Sequence, residues 1–124
     1  VSTIIMSNDR NLYKEVPLKF LGGCSVNDAS HISAPHREAE GLIKSINTTL
    51  RISNIISKDI DFINAHGTAT VYNDEMEAKA FSELALNNIP LNSLKGYFGH
   101  TLGDKDNTIH DTSRAGTSYF SIFY

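Results

Sequence analysis

Short apolar runs that end at glycine-flanked histidines, with amphipathic helical patterns between them, constrain this chain more than any other feature. Ile60 to Ala65 is too short for a helix and long enough for a strand, and it leads straight into His66-Gly67-Thr68-Ala69-Thr70. Pro90 to Leu94 is a second short run, placed ahead of Lys95-Gly96-Tyr97-Phe98-Gly99-His100-Thr101-Leu102-Gly103. Between them, the spacing predicts a helix from about Asn73 to Leu86 that buries Met76, Ala80, Phe81 and Leu84, with Asp74 and Glu77 spaced as a capping box. Upstream, Ala39, Leu42, Ile43, Ile46 and Leu50 fall on one face of a helix expected from about His36 to Arg51. Strands alternating with helices predict an α/β layered architecture.

The flanks are less regular. Val1 to Met6 reads as a strand, Asp9 to Val16 as a loop or short helical turn, and Pro17 to Val26 as a second strand. Asn27 to Pro35 reads as loop, and Lys58-Asp59 as a turn. From Asp104 onward the pattern dissolves into a polar run, and the chain closes on Tyr119 to Tyr124, an aromatic segment with the character of an edge strand.

Composition narrows the function classes. A 124-residue chain has room for one modest domain or part of a larger one. A net charge of -3, with 11 scattered basic residues, gives no reason to expect nucleic acid. No apolar run approaches the roughly 20 residues of a membrane span, and no signal peptide is evident. One cysteine excludes an internal disulfide framework and suits a reducing cytoplasm. A start at Val1 rather than at Met is expected of an internal piece of a longer chain. His31 and His36 flank Pro35 without regular ligand spacing, so no metal site is expected from them with Cys24. Gly22-Gly23 lacks the helix and spacing of a dinucleotide fingerprint. Lys14, Lys19, Arg37 and Lys44 read as solvated surface, with docking to an acidic carrier as the alternative.

A lone His-Gly-Thr is ordinarily a polar turn. Here the two histidine stretches, in order and 34 residues apart with a helix between, resemble two histidine motifs of the β-ketoacyl-acyl carrier protein synthases. Leu21-Gly22-Gly23-Cys24-Ser25 through His31 and Pro35 is similar to the segment that opens the C-terminal half of those enzymes. The resemblance covers residues 1–103, an incomplete C-terminal domain, and leaves 104–124 as a divergent tail. It implies a thiolase-like fold, layered α-β-α-β-α in the full protein.

The implied activity is decarboxylative Claisen condensation, an acyltransferase reaction of fatty acid or polyketide synthesis. Loss of carbon dioxide from a malonyl thioester leaves an enolate whose oxygen needs fixed hydrogen-bond donors in a dry site. By the resemblance, His66 and His100 supply them, and Lys95 organises the site electrostatically with Glu77. Thr68 and Thr70 match threonines that bind the phosphopantetheine arm. That arm belongs to the acyl carrier protein, the implied partner, so no resident cofactor is implied. A homodimer or heterodimer is implied for the full-length family.

The family's nucleophilic cysteine motif has no counterpart here. Cys24 falls in an expected strand without the turn and following helix that would activate a thiolate. The expectation for these 124 residues alone is therefore no condensation. The alternative is a noncatalytic protein, either a truncated remnant or a partner like the chain length factors. A thiolase-type acyltransferase is disfavoured, because that resemblance pairs one histidine with a second cysteine.

Overall fold

The computed structural model describes residues 5–14, 19–28, 36–100 and, as backbone, 119–121. Six elements follow one another after a 3-10 turn at Arg10–Leu12: α1 (Glu40–Ser53), β1 (Phe62–Asn64), α2 (Val71–Glu83), β2 (Leu91–Asn92), α3 (Lys95–Phe98) and β3 (Tyr119–Ser121). A second 3-10 turn, Ser57–Asp59, occupies the expected turn before β1. The strands form one parallel sheet in the order β2-β1-β3. Ile63 pairs with Leu91 on one side and with Phe120 on the other, so among the described residues β1 is central, with β2 and β3 flanking it.

Parallel strands need a crossover, and α2 provides it between β1 and β2. Leu42, Ile46 and Leu50 of α1 meet Met76, Ala80 and Phe81 of α2 over Ile60, Ile63 and Ala65, with Leu86 closing the core. This is the α/β layering expected from the apolar spacing. The expected Val1 to Met6 strand lies mostly outside the described residues, and its described end, Ile5 and Met6, is not in a strand. Residues 29–35, 101–118 and 122–124 also lie outside them.

The helix boundaries differ from expectation for local reasons. α1 begins at Glu40, not near His36, because Ala39 adopts a left-handed backbone (φ +56°) and cannot continue a helix. The residues before it form a tethered turn: His36 N–H donates to Asp28 Oδ2 at 2.6 Å, and Ala39 N–H to the His36 carbonyl at 2.9 Å. α2 begins two residues early, with extended Thr70 as its N-cap. It stops at Glu83 in a Schellman motif: Leu86 N–H reaches the Phe81 carbonyl at 2.8 Å, and Ala85 N–H the Ser82 carbonyl at 3.2 Å. α1 ends the same way on Asn54 and Ile55.

The expected second strand, Pro17 to Val26, is not one over its described part, and residues 15–18 lie outside the described residues. Residues 19–28 carry neither helix nor strand. They run alongside α1: Ser45 Oγ donates to the Cys24 carbonyl at 2.9 Å, and a Cβ on Gly22 would lie 2.7 Å from Ser53 Oγ. Side chains of a helix, rather than a neighbouring strand, take this segment's backbone. Cys24 therefore sits on an irregular segment, half-buried, and not in a strand.

Ala85, exposed at φ +56°, occupies the position where a Schellman motif favours glycine. Ala85→Gly is expected to stabilise the protein by about 1 kcal/mol, because the left-handed backbone penalises a Cβ. Urea unfolding checks this, and a lower midpoint would contradict the cap assignment.

Candidate active site

β1 ends at Asn64, and the chain enters a tight loop at His66 and Gly67. The loop is held from beneath by Glu77, which is 3% exposed in the middle of α2. One carboxylate oxygen accepts from His66 N–H and the other from Gly67 N–H, each at 2.8 Å. A buried carboxylate is tolerated only with such charge-assisted partners. The expected Asp74–Glu77 capping box is therefore corrected: Thr70 is the N-cap, Asp74 lies in the first turn, and Glu77 reaches the loop instead.

The other side of the loop is held by Ser93, immediately after β2. Its Oγ lies 3.2 Å from both the His66 and Gly67 carbonyls and can donate to either. The approach is so close that a Cβ on Gly67 would stand 2.5 Å from Ser93 Cβ, and Gly67 has φ +49°. Any side chain there meets both obstacles at once. Sequence reasoning missed Ser93, whose place one residue past Asn92, the partner of Asn64, is set by the strand register and carries no signal in the sequence.

Lys95 opens α3, the one-turn helix after β2, and points back to the loop. Its Nζ lies 3.1 Å from His66 Nδ1 and donates to the His66 carbonyl at 2.5 Å. An ammonium can only donate, so Nδ1 must accept. The imidazole is then neutral, with its proton on Nε2, the tautomer that presents an N–H from the far side of the ring. Lys95 and Glu77 thus grip the same loop from two sides rather than each other.

His100 follows the end of α3, where Gly99 (φ +71°) donates to the Lys95 carbonyl. The two imidazoles come together edge to face, with centroids 5.4 Å apart and planes at 88°. His66 is half-buried and His100 exposed. Thr68 and Thr70 lie 2.8 Å apart, oxygen to oxygen, and Asn73 Nδ2 reaches both, at 3.1 and 2.9 Å. All six residues singled out in the sequence therefore fall on one loop, the helix behind it and the turn beside it. Cys24 is not among them.

A depression of about 510 Å³ lies elsewhere, between α1 and Glu83 of α2. Glu38, Glu40, Ile43 and Lys44 line it, and no candidate residue does. It is shallow, and no histidine lines it.

A family model described as the beta-ketoacyl synthase C-terminal domain matches residues 20–105. The chain belongs to the β-ketoacyl synthase family. Its fold is the thiolase-like α/β fold of the ketosynthases, represented by part of one domain. A chloroplastic 3-oxoacyl-acyl-carrier-protein synthase I of Hordeum vulgare is 30% identical over 81% of this chain and 22% of that protein. A 3-oxoacyl-acyl-carrier-protein synthase 2 of Staphylococcus aureus is 34% identical over 75% of the chain and 23% of that protein.

Among solved structures, a chain of the ketosynthase–chain length factor complex of Xenorhabdus doucetiae superposes with a TM-score of 0.67 at 40% identity. It covers 74% of this chain and 23% of that one. A β-ketoacyl synthase of Burkholderia phymatum gives 0.62 at 30% identity, over 73% of this chain and 22% of that one. The chain thus spans under a quarter of the length of these relatives. No helix among the described residues is long and apolar enough to cross a membrane.

Glu77→Gln keeps the volume but turns one acceptor into an NH2 facing a backbone N–H. It is expected to cost about 1–3 kcal/mol in urea unfolding. A stability equal to wild type would contradict the two-point grip.

Proposed function

We propose that this loop is the decarboxylating half of a condensing site, and that the protein carrying it joins an acyl thioester to malonyl-acyl carrier protein. The observation that carries the reading is the Lys95–His66–His100 array: an ammonium on Nδ1 of one neutral ring, with a second ring 5.4 Å away. Such an array can place two N–H donors around one oxygen.

In this reading the malonyl carboxylate leaves as carbon dioxide, and the electrons of the broken carbon–carbon bond pass to the thioester oxygen as an enolate. His66 and His100 hydrogen-bond that oxygen. The enolate carbon then attacks an acyl thioester on a cysteine. The new carbon–carbon bond forms, the carbon–sulfur bond breaks, and the cysteine leaves as thiolate. This reading takes that cysteine from outside the 124 residues, since Cys24 lies on an irregular segment whose backbone is tied to α1 and not on the histidine loop. Glu77 and Lys95 are positioning groups, and Thr68 and Thr70 bind the pantetheine arm. The site requires no metal or resident cofactor, because the phosphopantetheine arrives with the carrier.

The names of the relatives support the carrier as partner. The barley and staphylococcal proteins are 3-oxoacyl-acyl-carrier-protein synthases, and one similar structure, at 32% identity and a TM-score of 0.56, is a type II polyketide acyl-carrier protein in complex with its ketosynthase. That match covers 60% of this chain and 19% of that one. A second reading, a noncatalytic partner of a ketosynthase, is favoured by two of the similar structures being ketosynthase–chain length factor assemblies. A heterodimer follows from that reading, and either a homodimer or a heterodimer is compatible with the enzyme reading.

Carbon dioxide release from malonyl-acyl carrier protein separates them. Under the first reading, His66→Ala lowers release about 100-fold or more, the scale of losing one donor to a developing oxyanion. Release at background level in both proteins, together with co-purification of a ketosynthase, would favour the partner reading instead.

A further inference from the structure

Thr70 is the N-cap of α2, yet its side chain caps nothing. A capping threonine stabilises a helix by about 1 kcal/mol, so a hydroxyl held away from that role is committed elsewhere. Here it is committed to Thr68 and Asn73. Ala69 between the threonines is left-handed (φ +58°), a conformation that disfavours alanine. Two local preferences are overridden to bring these hydroxyls together.

Counting protons gives the cluster a direction. Two hydroxyl oxygens 2.8 Å apart need one proton between them. If Asn73 turned its carbonyl oxygen to the threonines, it would need two more protons, and only one would remain. Its NH2 group supplies two and satisfies every contact. Each threonine then has one lone pair filled by Asn73. The threonine that accepts from its neighbour has both lone pairs filled and its own proton left over. The other has given its proton away and keeps one lone pair. The pair therefore offers one donor and one acceptor outward, from an exposed Thr70 and a half-buried Thr68.

We propose that Asn73 is a positioning residue that sets this polarity, so that the Thr68–Thr70 pair reads an extended arm carrying successive secondary amides. A carbonyl of the arm takes the free hydroxyl proton, and an N–H of the arm takes the free lone pair. The inference rests on the condensing-site reading for the identity of the arm, and on the hydrogen-bond geometry for the role of Asn73. Asn73 and Glu77 are four apart on α2, so the same helix face that holds the histidine loop orients the threonines.

Asn73→Asp tests the role with almost no change in size. A carboxylate only accepts, so it draws both hydroxyl protons inward and removes the outward donor. The protein carrying this segment is titrated with pantetheine by calorimetry, and its carbon dioxide release from malonyl-pantetheine is followed in parallel. Expected is an affinity about tenfold weaker for Asn73→Asp, the scale of one lost hydrogen bond, with the loss in turnover falling on KM rather than kcat. Asn73→Ala is expected to weaken pantetheine binding while leaving the melting temperature equal or higher, because Thr70 is released to cap α2.

Equal pantetheine affinity in wild type and Asn73→Asp, or no binding by wild type, would overturn the proposal. Equal affinity with His66-dependent carbon dioxide release would do so while leaving the condensing-site reading standing. Discrimination by Asn73 without any carbon dioxide release would support the amide-reading role and sink the condensing reading.

Discussion

Everything at this site depends on one buried carboxylate. Glu77 can sit inside the core only because two backbone N–H groups converge on it, and those groups belong to His66 and Gly67. The pairing works in both directions: the loop's amides keep the carboxylate satisfied, and the carboxylate fixes the path of the loop as it leaves β1. Without it, the left-handed turn at Gly67 would have nothing beneath it, and the close approach of Ser93 would lose its counterpart. The imidazole of His66 is placed by its backbone first and by Lys95 second.

α2 is the organiser of the site, and its contribution comes from helical geometry. Asn73 and Glu77, one turn apart on one face, meet the threonine pair and the histidine loop in sequence. Met76, Ala80 and Phe81, on the adjoining face, pack into the core with α1 and β1. A rotation of the helix that improved one set of contacts would break the other. Core packing and site geometry are thus a single constraint.

Much of this was legible in the residues, for identifiable reasons. The apolar spacing of α1 and α2 marks both helices, and the order of the two histidine motifs marks the family. What failed was what depends on contacts distant in sequence. The start of α1 is set by His36 held to Asp28, and the irregular path of residues 19–28 by side chains of α1. Periodicity cannot register either. Glu77 read as a capping-box partner because local spacing allows it, whereas a strand-end loop 10 residues away takes its carboxylate. Ser93 was invisible because a lone serine between two motifs has no pattern.

The two histidines are not equivalent, and their difference follows from how each is braced. His66 has its amide on Glu77, its carbonyl on Lys95 and Ser93, and its ring on Lys95. His100 emerges from a single helical turn through a left-handed glycine and lies exposed against the edge or face of the first ring. Lys95 thus sets both the ring position and the tautomer of His66. The orientation of the His66 ring therefore follows from the same contacts that fix its loop, whereas the described placement of His100 is set by the turn at Gly99 and the edge-to-face meeting of the two rings.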